Sequence, residues 1–307
     1  MNKKLMVSIL GGMMLVGCGV NTPEPSLVRS LTDSEFAGKK HYFGWGAAYR
    51  NDPSNMHNEV KYDVLHTHDI FTEQVGGSYL GTKETGTHVN SRIIQDEWDR
   101  IGADMTEDDM FVQYSSGHGY SSGLAVGVSY DEIRDNALSY PAKEVIIFTM
   151  ACKSGGLVDS FNRRQNEWSD WREQGRNLLV LASSRTWENS ATGPGRDQDE
   201  PGGPYGSAGS AFGHALWKAL IGYADGYIDG VKDGYISLEE IVEYSIYKTQ
   251  RVGGHTPVFT GTYNPYLIMN RIPPAEFLAG LENSTEGLSE EEIAARVQAL
   301  DLAMRVQ

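Results

Sequence analysis

The chain has 307 residues but only two cysteines, Cys18 and Cys152. That excludes a disulfide-stapled scaffold and a zinc site built on a cysteine cluster. Basic residues are also few. The 26 Lys and Arg stand against 41 Asp and Glu, for a formal net charge of −15. A surface of that sign does not attract nucleic acid or anionic headgroups through bulk charge, and the aromatics are not interleaved with basic residues. No nucleic-acid partner is expected. Past the N-terminal stretch no apolar run is long enough to span a bilayer. No glycine-rich phosphate loop with its lysine stands between a strand and a helix. No internal repeat is seen.

What is present begins at the N-terminus. Met1 to Lys4 carry two lysines and no acid, and Leu5 to Val16 are almost wholly apolar. A charged start with a short apolar core is the pattern of a targeting segment rather than of a mature span. The run ends Leu15-Val16-Gly17-Cys18, which resembles the lipobox of bacterial lipoproteins. The resemblance implies a signal peptide over 1–17 and lipidation of Cys18. It also implies a polar tether over 18–35 that holds the rest of the chain at a membrane surface. Gly19, in place of aspartate, favours the outer membrane by the same resemblance. Cys152 is then the one thiol of the mature chain, either a buried inert thiol or a nucleophile.

The remainder reads as alternating strands and helices. His41–Trp45, Met110–Tyr114, Val145–Met150 and Leu178–Ala182 read as strands, and Phe71–Val75 as a short strand. Val145–Met150 and Leu178–Ala182, continuous apolar runs, fit strands buried on both faces. Helices are expected over Glu59–Ile70, Thr87–Gly102, Tyr130–Leu138, Ser207–Ile221, Ser237–Thr249 and Ser289–Gln307. Ser237 with Glu240 has the capping-box spacing. Such alternation predicts an α/β fold with a mostly parallel sheet, whose ligands sit beyond the carboxyl ends of the strands.

Two strands run into chemistry-bearing residues. Phe111–Tyr114 leads into Ser115-Ser116-Gly117-His118-Gly119, and Val145–Met150 leads into Ala151-Cys152-Lys153-Ser154-Gly155-Gly156. A thiol needs a base beside it to become a good nucleophile, and His118 supplies one and can protonate a leaving amine. Gly119 leaves room for a substrate backbone, and the N–H groups of Gly119 and Cys152 are candidate oxyanion donors.

This pair, SSGHG and ACKSGG, each after an apolar strand, resembles the legumain family in the caspase-like clan of cysteine peptidases. Leu181-Ala182-Ser183-Ser184 with Trp187–Ala191, and His255-Thr256-Pro257, extend the likeness across roughly residues 40–270. It implies a caspase-like three-layer sandwich over 36–272, with a mostly parallel six-stranded sheet, helices on both faces, and a C-terminal extension over 273–307. It implies an endopeptidase with His118 as general acid/base, Cys152 as nucleophile and Gly119 as oxyanion donor, acting on a peptide or protein substrate. Ser183 and Ser184 fall where the family lines its specificity pocket. Met150 stands where legumain has glutamate, and Met56-His57 where it has an arginine-histidine pair, so the family's asparagine preference does not carry over. The acidic loop with Asp197, Asp199 and Glu200 reads as a solvated loop or as a site for a basic side chain. A transamidase on the same site, or a binding protein that keeps the fold, are the alternatives left open.

No metal or other cofactor is needed for that chemistry. One segment offers calcium: Asp229, Asp233 and Glu240, with Gly234, have EF-hand spacing, but Val231 at the third position has no side-chain oxygen. A plain turn into a capped helix explains the same residues. His66 and His68 stand two apart on a helix, face different ways and read as a solvated helix end rather than a metal site.

Overall fold

The computed structural model describes residues 38–47, 57–73, 79–86, 88–191 and 209–271. The expected targeting segment with Cys18, the expected tether, the acidic stretch with Asp197 and the helix expected over Ser289–Gln307 lie outside the described residues.

A six-stranded sheet forms the middle layer. Its strands are β1 (Lys40–Ala47), β2 (Tyr79–Gly86), β3 (Met110–Gly117), β7 (Glu144–Met150), β8 (Asn177–Ala182) and β10 (Val258–Gly261). Three two-residue strands, β4 (Gly119–Tyr120), β5 (Gly123–Leu124) and β6 (Val128–Ser129), form a small separate sheet after β3, and β9 (Tyr235–Ser237) pairs β11 (Ile268–Arg271). The main sheet runs in the order β10-β8-β7-β3-β1-β2. All its neighbours are parallel except the edge strand β10, which runs antiparallel to β8. The expected mostly parallel, six-stranded sheet is therefore the one observed.

Helices α1 (His57–Glu73), α5 (Ala211–Lys218) and α6 (Leu238–Gly253) cover one face. Helices α2 (Ser91–Ala103), α3 (Tyr130–Ser139) and α4 (Gly155–Arg163) cover the other. The pleat assigns each side chain to a layer. Ile146, Phe148, Leu179 and Leu181 join the first core, and Val145, Ile147, Leu178 and Val180 join the second. Each such fully buried side chain contributes about 1.5–3 kcal/mol. This double burial is why β7 and β8 read as unbroken apolar runs.

Local signals set the helix starts. The Asn90 side chain accepts from Arg92 and Ile93 N–H, and Ser129–Glu132 and Ser237–Glu240 both close capping boxes. The expected strand over Phe71–Val75 is overturned, because α1 runs through Phe71 to Glu73. Thr72 Oγ1 donates to the His68 carbonyl at 2.7 Å, and Phe71 stacks on Tyr42 of β1 with ring centroids 5.1 Å apart. The strand in fact comes later, as β2. Its sequence YLGTKETG holds two glycines and little apolar pattern, so its edge position is set by pairing with β1. His66 and His68 are also corrected: both are buried, His66 against the Trp217 ring and His68 edge-on to Tyr42. Among the described residues no helix is long and apolar enough to cross a membrane.

Candidate active site

β3 and β7 are adjacent and parallel, with Ser116 opposite Met150. Each chain then turns off the sheet at the same carboxyl edge, β3 into His118 and β7 into Cys152. The two loops touch through backbone. A Cβ placed on Gly119 would stand 2.5 Å from the Cys152 carbonyl oxygen and 2.7 Å from the Ala151 Cβ. Only glycine fits that approach. His118 and Cys152 are both half-buried, neither sealed in the core nor fully in solvent.

Cys152 sits on a sharp turn between β7 and α4. Lys153 has φ 59°, the left-handed region that non-glycine residues avoid, and its N–H donates to the Glu188 carbonyl at 2.7 Å. Gly155 and Gly156 let the turn pack tightly: a Cβ at Gly155 would lie 2.5 Å from Thr186 N, and one at Gly156 2.0 Å from the Ser121 carbonyl oxygen. The Cys152 thiol points at the Ser190 carbonyl, 3.9 Å from Sγ to oxygen. The loop after β8 thus wraps the cysteine turn.

Four serines brace that turn from below. Ser190 and Ser184 donate to the Ala151 carbonyl at 2.8 and 3.1 Å, and Ser183 accepts from the Ala151 N–H at 3.2 Å. Ser183 also lies 2.6 Å from Ser190 Oγ and 3.1 Å from Ser154 Oγ. Below them, His255 Nδ1 donates to the Ser183 carbonyl at 2.6 Å, and burial holds its imidazole pKa below the ordinary value, in the neutral form. Glu188 clamps the same loop. Its carboxylate accepts from the N–H of Thr256 and of Arg185, and these bonds hold its pKa below the usual range despite partial burial.

Three of the residues expected at the specificity pocket are buried. Ser183 and Ser184 are fully buried, and both hydroxyls donate to the Ala151 carbonyl of the cysteine turn. Met150 is 1 % exposed and packs in the core beneath α1 and α5. The pleat turns it to the face that α1 and α5 cover. His57 is the first residue of α1. Two large aromatic side chains are exposed in these loops: Tyr120, one residue past Gly119, and Trp187, which is 74 % exposed beside Arg185.

Two buried groups at this end were not singled out from the sequence. Tyr130, the first residue of α3, places its Oη 3.3 Å from where a Gly119 Cβ would stand. Its hydroxyl is buried with no hydrogen-bond partner among the described residues, and burial together with the nearby Cys152 raises its pKa, so it stays protonated. Asp63, on α1, is buried with both oxygens bonded. A chemical signal was present for neither, since a tyrosine at a helix start and an acid in a helix read as ordinary residues.

The calcium candidates make their hydrogen bonds within their own segment. Glu240 accepts from Ser237 N–H and Gly226 N–H, Asp229 from Val231 N–H and Asp233 from Tyr235 N–H. The carboxylates close turns and cap α6 rather than converge. Among the described residues no three His, Cys, Asp or Glu side chains are grouped as metal ligands.

No protein-family model matches this sequence, and no curated protein matches it. Solved structures are similar to it. Caspase-1 from Spodoptera frugiperda superposes with a TM-score of 0.51 at 12 % identity, covering 77 % of this chain and 92 % of that one. A protein from Geobacter sulfurreducens gives a TM-score of 0.45 at 15 % identity, covering 77 % of this chain and 99 % of that one. At such identity the likeness is one of fold, and this chain has a caspase-like α/β fold.

Proposed function

We propose that the protein is a cysteine endopeptidase working through His118 and Cys152. One observation carries this reading: the two residues leave adjacent parallel strands at the same sheet edge, and the glycine after the histidine lies against the cysteine's carbonyl. His118 takes the thiol proton, and Sγ of Cys152 attacks the scissile carbonyl. The oxyanion forms near the Gly119 and Cys152 N–H groups. His118 then protonates the leaving amine as the C–N bond breaks, leaving a thioester. Water, deprotonated by His118, hydrolyses that thioester and frees the thiol. The amino end of α4, which begins at Gly155, carries partial positive charge beside the developing thiolate. Tyr120 and Trp187 stand exposed beside the dyad and offer stacking surfaces for a peptide.

The lipobox-like Leu15–Cys18 supports lipid anchoring at a bacterial envelope, with the peptidase held at the membrane surface. Incorporation of radiolabelled fatty acid into the wild type and not into Cys18→Ser tests this. Equal incorporation overturns it. For the activity, the full chain is incubated with a mixture of denatured proteins and the new termini are mapped. Cleavage by wild type, absent in Cys152→Ser, supports the proposal. Identical termini from both, or none, contradict it.

A further inference from the structure

Asp63 is a buried carboxylate that bonds two segments distant in sequence. It is 1 % exposed, near the carboxyl edge of the sheet, and the groups bonded to it are uncharged. Burying a charge is costly unless every lone pair is used, and a well-packed apolar residue is often the more stable choice. Here the oxygens are divided between two elements. Oδ2 accepts from Ser116 Oγ at 2.9 Å, and Oδ1 accepts from Ser210 N–H at 2.8 Å. Tyr114 of β3 faces the same carboxylate. Burial pushes its pKa up to about 6, against the opposing bonds from Ser210 and Ser116.

The chain makes room for this group. A Cβ on Gly213 of α5 would come within 2.1 Å of Asp63 Oδ1 and 2.9 Å of Tyr114 Oη. The Ser210 N–H belongs to the amino end of α5, where partial positive charge favours a carboxylate. Ser116 is the next-to-last residue of β3, and only Gly117 separates it from His118. The position of His118 therefore depends on where the end of β3 is held.

We infer that Asp63 is a positioning residue for the dyad: by joining Ser116 to Ser210, it fixes the end of β3, and with it His118, against α5. The inference rests on the peptidase reading. It predicts that Asp63 acts through His118 rather than on substrate binding.

The test is a double-mutant cycle on the full chain, using a peptide-based, cysteine-directed covalent probe. Asp63→Asn keeps the shape but replaces one acceptor oxygen by a donor. It should lower the maximal labelling rate about 10- to 100-fold, as expected for a displaced catalytic group, with the half-saturating probe concentration within about threefold. In a His118→Ala background the same change should lower the rate less than about twofold, because the losses are not additive when one residue acts through another. Ser116→Ala, which leaves the charge in place, should reproduce the pattern and decides the matter if Asp63→Asn does not fold. Unchanged labelling in a folded variant, or losses that multiply in the His118→Ala background, would make the carboxylate a fold staple only and overturn the inference. A wild type whose labelling is indifferent to His118 defeats the peptidase reading first, and is seen before any Asp63 variant is compared.

Discussion

Gly119 and Cys152 lie in backbone contact, so close that a methyl group on residue 119 would meet the Cys152 carbonyl oxygen at 2.5 Å. The contact joins the loop that carries the histidine to the turn that carries the cysteine. Gly119→Ala must push the two apart. Labelling of Cys152 by a peptide probe is expected to fall at least about 10-fold, since displacement on the scale of an ångström costs that much or more. Far-ultraviolet circular dichroism should stay unchanged, because the site lies at the rim of the sheet. Wild-type labelling by a folded Gly119→Ala protein would show that the contact is not needed.

The hydroxyls beneath the cysteine turn are structural. Ser183 bonds Ser190, Ser154 and both backbone groups of Ala151. Ser183→Ala strands several of these partners in the interior and is expected to cost about 1–3 kcal/mol in urea unfolding. A serine lining an open pocket would cost almost nothing. The same variant should label more slowly, because the Ala151 carbonyl and the turn after it lose their support.

Glu144 separates stability from the site, since it stands at the amino end of β7, opposite the dyad edge. Burial raises its pKa from 4.5 to about 7, against the 2.8 Å bond from Asn177. The folded state therefore binds this proton more tightly than the unfolded state. The carboxyl costs nothing below pH 4.5, and its ionisation destabilises the fold progressively as pH rises towards about 7. Glu144→Gln removes that dependence. Its stability relative to wild type should improve between pH 4 and pH 8 by up to about 3 kcal/mol, read from urea midpoints at each pH. A difference that does not change with pH would contradict the shifted carboxyl.

The sequence showed the sheet's centre better than its edges. β7 and β8 were legible because burial on both faces demands continuous apolar residues. His118 and Cys152 stood out because each closely follows a strand-like run, His118 between two glycines and Cys152 as a lone thiol in that part of the chain. β2 was not, because an edge strand with Gly81 and Gly86 is held by pairing to β1 rather than by its own pattern. Phe71 misled for the opposite reason: its β-like neighbours Ile70 and Thr72 sit on a helix whose apolar face is completed by Val60 and Val64. The burial of the expected specificity residues was not legible, because sequence position gives a side chain's neighbourhood but not its direction. Ser183, Ser184 and Met150 are at the right edge of the fold and point inward. Asp63 and Tyr130 were silent because their meaning lies in contacts distant in sequence, such as Asp63 with Ser210.

The most direct measurement is the rate at which a library of peptide-based, cysteine-directed probes labels the full chain, compared among wild type, His118→Ala and Cys152→Ala. The account predicts labelling of wild type well above that of a free thiol, loss of labelling in Cys152→Ala, and a fall of about 100-fold or more in His118→Ala. Labelling of wild type at the rate of a free thiol, unchanged when His118 is removed, would contradict it.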